Sequence, residues 1–93
     1  MSISDFSKQN EHSLADAIRQ HVKKVIFSPA LLRGEKVVTF TAQQVHESMG
    51  LRERYPAVCG AIDAKKFQTD FGVRLLHRQG PKQSNTVKWT FEI

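Results

Sequence analysis

Thr41-Ala-Gln-Gln-Val-His-Glu-Ser-Met-Gly50 decides how this chain is read. Thr41 is a helix N-cap residue, and Gln44 stands three positions on, where its amide can reach back to the cap: a capping box. Phe40 before the cap and Val45 at the fourth helical position are placed to form a hydrophobic staple. Gly50 suits the left-handed residue that ends such a helix. Leu-Arg-Glu-Arg (51–54) then reads as a turn, and Tyr-Pro-Ala-Val-Cys-Gly-Ala-Ile (55–62) as a second helix. Pro56 sits in the first turn of that helix, where a missing N–H costs nothing.

Working outward, the upstream segment Glu35–Phe40 (EKVVTF) is β-branched and aromatic, as strands prefer. Before it, Leu14, Ile18, His21, Val22 and Val25 recur at helical spacing and predict one buried stripe. Ser13 is the expected cap, with Asp16 in the first turn, and Pro29 ends or interrupts the helix. Downstream, Val58, Ala61 and Ile62 form a short apolar stripe that Phe67 does not continue. Either the helix ends near Lys65 or Phe67 packs against another element. At the C-terminus Val87, Trp89, Phe91 and Ile93 alternate with Lys88, Thr90 and Glu92, which is half-buried strand periodicity. The partner strand is expected over roughly Val73–Gln79. Gly80, Pro81, Ser84 and Asn85 supply the turn, in a loop long enough to project.

Ninety-three residues make one domain with one small core. A polar tail is expected over 1–12 and the folded unit over 13–93. The tail lacks the character of a secretory signal, and no apolar run is long enough to cross a bilayer. The single cysteine, Cys59, has no internal partner, which fits a reducing cytoplasmic compartment. Net charge is +5, and its excess lies between Arg52 and Lys88, where eight Lys/Arg face three Asp/Glu. A basic segment of this kind attracts polyanions.

The order of elements resembles the winged helix-turn-helix fold: a long first helix, the strand KVVTF, the capped helix TAQQVHESMG, the helix opening YPAVCGAI and a terminal hairpin. The resemblance covers Ser13 to Ile93. It implies a small α+β domain of three helices, with a short strand before the second helix and a C-terminal hairpin wing. It further implies a DNA-binding protein, such as a small transcriptional regulator on double-stranded DNA, in which the helix after the turn enters the major groove by its N-terminal end. Carried over, that end is Arg52, Arg54 and Tyr55, with Cys59, Gly60, Asp63 and Lys66 along its outer face. Arginine reads guanine or clamps phosphate, and Tyr55 can donate to phosphate or stack. The wing would contribute Arg78, Lys82, Gln83, Ser84, Asn85 and Thr86, with Lys88 extending the strip along one strand face. Proteins of this fold often pair on half-sites, so a homodimer through the first helix and the tail is a further expectation. The alternative is a winged-helix module that docks protein or RNA within a larger assembly.

Catalysis and metal binding find no support in the spacing. His12, His21, His46 and His77 lack ligand-like intervals, and Cys59 has no neighbouring cysteine. The carboxylates are scattered, so no acid cluster is placed to hold a divalent ion for a nuclease. No cofactor is expected. His21 reads as a hydrogen-bonded core histidine, and His46 with Glu47 as a helix-surface pair.

Overall fold

The computed structural model describes residues 14–93, so the tail and the expected cap Ser13 lie outside the described residues. The first helix, α1, covers 14–32. It is α-helical over 14–22, passes through a π turn at Lys23–Phe27 and returns to α-helix at Ser28–Leu32. Pro29 therefore interrupts the helix without ending it. Its missing N–H would leave a gap in the i to i−4 ladder, and just before it the Ser28 N–H donates to the Lys23 carbonyl, five residues back. The extra residue in that turn rotates the buried face. Ile18 and Val22 are in the core as expected, but Val25 is 47% exposed and Phe27 takes the inward position.

Strand β1 is Val37–Thr41, and Thr41 both ends it and caps α2 (Ala42–Ser48). The capping box is present in full. Thr41 Oγ1 accepts from the Gln44 N–H at 3.1 Å, and Gln44 Oε1 accepts from the Thr41 N–H at 2.8 Å. Gly50 ends the turn with φ 66°. The next helix, α3 (Tyr55–Asp63), stops at Ala64, whose ψ of 134° is extended. A separate helix, α4 (Lys65–Phe71), follows and buries Phe67. The described residues thus hold four helices where three were expected, and the break at Ala64 is what turns Phe67 into the core.

Strands β2 (Arg74–Gln79) and β3 (Lys88–Glu92) form the hairpin. β3 is central, antiparallel to both neighbours, giving the order β1-β3-β2. A bulge between Leu75 and His77 shifts the β2 register. The inner face of the sheet carries Val38, Phe40, Trp89 and Phe91, against which the helices pack. Phe27, Phe40, Phe67 and Phe91 meet with ring centroids 5.3 to 6.0 Å apart. Each such side chain contributes roughly 2 to 3 kcal/mol on burial. The outer face is polar. Thr39 hydrogen-bonds Thr90, and Arg74 pairs with Glu92. The result is a small compact α+β domain in which no described helix is long and apolar enough to cross a membrane.

Candidate nucleic-acid interface

The turn between α2 and α3 is built around His46. Its ring lies in the core side of α2, 7% exposed, and stacks on Tyr55 with centroids 4.0 Å apart. His46 Nε2 accepts from the Arg54 backbone N–H at 3.1 Å, so this nitrogen carries no proton and the imidazole donor is Nδ1. His46 is therefore no surface partner of Glu47; Glu47 instead accepts from Gln43 Nε2 at 2.9 Å. Glu53 adopts φ 50°, a left-handed conformation that costs a non-glycine residue about 1 to 2 kcal/mol. It reverses the chain between Arg52 and Arg54. Both arginines are exposed and make no ion pair with any described residue.

The exposed stripe of α3 consists of Pro56, Gly60 and Asp63. Cys59, expected on that stripe, is fully buried. Its Sγ lies 3.7 Å from the Ser84 carbonyl, and burial raises its thiol pKa more than this contact lowers it. Asp63 is not free either. Oδ1 accepts from Arg78 Nε at 2.8 Å and from Trp89 Nε1 at 2.8 Å, while Oδ2 accepts from Arg78 Nη2 at 3.0 Å. Tyr55 is half-buried by its stack. Lys66 belongs to α4, beyond the Ala64 break, and so does not continue the face of α3.

The loop between β2 and β3 is pinned to the body where a projecting loop was expected. Arg78 Nη1 donates to the Gly80 carbonyl at 3.2 Å and Nη2 to the Lys82 carbonyl at 2.8 Å. The hydrogen bonds to Asp63 raise the Arg78 pKa further, and the guanidinium is committed to internal partners. The Gln43 N–H donates to the Asn85 carbonyl at 3.2 Å, and the Ala42 N–H to the Val87 carbonyl at 2.9 Å. Ser84 and Thr86 bond each other through their hydroxyls at 2.7 Å. Gly80 allows the tight entry: its φ is 107°, and a Cβ there would stand 3.1 Å from Val87 Cα. Lys82, Gln83, Asn85 and Thr86 remain exposed on this loop, with Ser84 half-buried.

The expected site residues therefore divide. Arg52, Arg54 and Tyr55 flank the start of α3, and Lys82–Thr86 lie beside its second half, tied there by Cys59 and Asp63. Arg78 faces inward. Lys88 pairs in register with Thr41 and Gln79 on the outer face of the sheet, away from the helices. Asp63 and His46 organise the site, and neither carries a local sequence signal for that role. Each acts on a partner eight or more residues away. Among the described residues, no three of His, Cys, Asp and Glu converge as metal ligands.

No known family model matches this chain, and neither a curated protein nor a solved structure does.

Proposed function

We propose that this domain binds double-stranded DNA as a winged helix-turn-helix protein, in the manner of a small transcriptional regulator. The observation that carries the reading is the pinning of the Lys82-bearing loop beside α3, with Arg52 and Arg54, which have no ion-pair partner among the described residues, at the other end of the same helix. α3 has nine residues, which makes it about 13 Å long. That matches the roughly 12 Å width of the B-DNA major groove. Cations at both ends of α3 can then meet phosphates on the two sides of the groove. The element order and the β1-β3-β2 sheet support the same reading.

The outer stripe of α3 holds Pro56 and Gly60, which offer no long polar donor to base edges. Affinity on this reading comes mainly from phosphates, and sequence preference rests on Arg52 and Arg54. A homodimer on paired half-sites and action inside the cytoplasm belong to the same proposal.

Fluorescence anisotropy with a labelled duplex, across a salt series, tests it. Neutralising three to four phosphates gives a log K against log salt slope of about −3 to −4. A duplex affinity that is absent at about 50 mM salt, or that does not change with salt, would favour the module that docks protein.

A further inference from the structure

His46 brackets the turn between α2 and α3 from both ends. Its carbonyl accepts from the Leu51 N–H and its ring nitrogen Nε2 from the Arg54 N–H, each at 3.1 Å. Arg54 is the N-cap of α3 and makes no capping bond with its own side chain. The His46 ring holds that start instead, from the preceding helix. Between the two bonds Glu53 stands at φ 50°, a strained conformation for a non-glycine residue, which persists only while its surroundings enforce it.

The ring bond carries a chemical condition. Nε2 accepts through its lone pair, so the bond exists only for the neutral imidazole with its proton on Nδ1. Protonation puts an N–H where the lone pair was, facing the Arg54 N–H. Two donors then point at each other, and one of them must move. The ring is 7% exposed, so the new charge is also poorly hydrated. The ring is the part less able to move. It projects from α2 and stacks on Tyr55 with centroids 4.0 Å apart, and an aromatic face attracts a cation. Arg52, Glu53 and Arg54 are exposed, and the backbone is strained at Glu53, so the turn gives way first.

The charges nearby do not reverse this. The turn brings Arg52, Glu53 and Arg54, and α2 brings Glu47; all four are exposed. Two cations stand against two carboxylates, so the lost acceptor decides. Tyr55 is the titratable group on α3, and His21 of α1 reaches α2 at Ser48. β1 carries no titratable side chain. Lys82 is the charge on the β2–β3 loop, which meets α2 where the Asn85 carbonyl accepts from the Gln43 N–H.

We infer that His46 makes the α2–α3 turn a proton-sensitive latch: the neutral ring holds residues 52–54 in place, and the protonated ring releases them. The sign follows from the bond. Its contribution is present at neutral pH and is lost as pH falls through the range in which histidine takes up a proton, roughly pH 7 to 5. The consequence for duplex affinity rests on the DNA-binding reading; the behaviour of the turn does not.

NMR of the full chain over that pH range tests it, with His46→Gln beside the wild type. A glutamine amide oxygen accepts an N–H and takes up no proton there. In the wild type the His46 Nε2 resonance and the Glu53 and Arg54 amide resonances should move with one midpoint, and protection of the Arg54 amide against exchange should fall about fivefold, the loss of one hydrogen bond. In His46→Gln the same amides should hold. Duplex affinity of the wild type relative to His46→Gln at the same pH should fall by a similar factor, a ratio that cancels protonation of the other histidines. A ring still neutral at the acid end, an Arg54 amide with a midpoint different from that of the ring, or an equal response in His46→Gln would each overturn the inference; the comparison of midpoints needs no variant. A turn that opens in the wild type alone, with no duplex binding at any pH or with an unchanged affinity ratio, would uphold the latch and remove the turn from the DNA contact.

Discussion

Asp63 and Arg78 meet fork to fork across 15 residues of chain, with two near-parallel hydrogen bonds of 2.8 and 3.0 Å. Through this pair the end of α3 fixes the loop that follows β2, because the same guanidinium also holds the Gly80 and Lys82 carbonyls. Trp89 completes the arrangement by donating its indole N–H to the shared Asp63 Oδ1. A fully buried tryptophan would otherwise leave that donor unsatisfied.

Removing the carboxylate should therefore affect stability and loop position together. Asp63→Ala is expected to cost about 2 kcal/mol, the discount reflecting partial exposure of the pair. Urea denaturation followed by tryptophan fluorescence reads the cost. Raised amide exchange over 80–86 reads the freed loop, and an unchanged loop would show that Arg78 is not its anchor.

At the other end of α3, His46→Phe keeps a ring to stack on Tyr55 but removes the acceptor of the Arg54 N–H. A loss of about 1 to 2 kcal/mol is expected, with local disorder of the 51–54 turn by NMR. Weaker duplex binding should accompany it if Arg52 and Arg54 act from that turn.

Substitutions at the cations separate two kinds of contact. Arg52→Ala with Arg54→Ala should abolish any sequence preference. Lys82→Ala should weaken all duplexes alike and reduce the salt slope by about one unit. Unaltered affinity in both variants would place the binding surface elsewhere.

The buried thiol of Cys59 should be slow toward alkylating reagents in the native protein, because burial favours its neutral form. The sign for stability follows. A pKa raised on folding means that the unfolded chain ionises first as pH increases. The thiol's contribution is fully present below the ordinary thiol range and is lost as pH rises through the raised native value. Urea midpoints measured from neutral to alkaline pH should show this component in the wild type and lack it in Cys59→Ala.

Legibility in the sequence followed range along the chain. The Thr41–Gln44 box, the Gly50 stop and the alternation Val87–Trp89–Phe91 are interactions or periodicities spanning two to four residues, and all three appear in the structure. The place of the arginine turn between two helices was readable for the same reason. Lys66 was carried over onto the outer face of α3, although Phe67 falling off the Val58–Ile62 stripe already pointed to an end near Lys65; the residue type of Ala64, neither glycine nor proline, does not mark its extended ψ. Val25 was assigned inward because regular helical spacing ignores a π turn.

The chain by itself determined its elements, their order and the gathering of positive charge after Leu51, since these depend on neighbours along the backbone. Only the tertiary structure decided which polar side chains are spent internally. Arg78, Asp63 and His46 look like surface groups in one dimension. Each is taken up by a partner that comes near only when the sheet and helices pack, because a half-buried donor or acceptor is costly until it is paired.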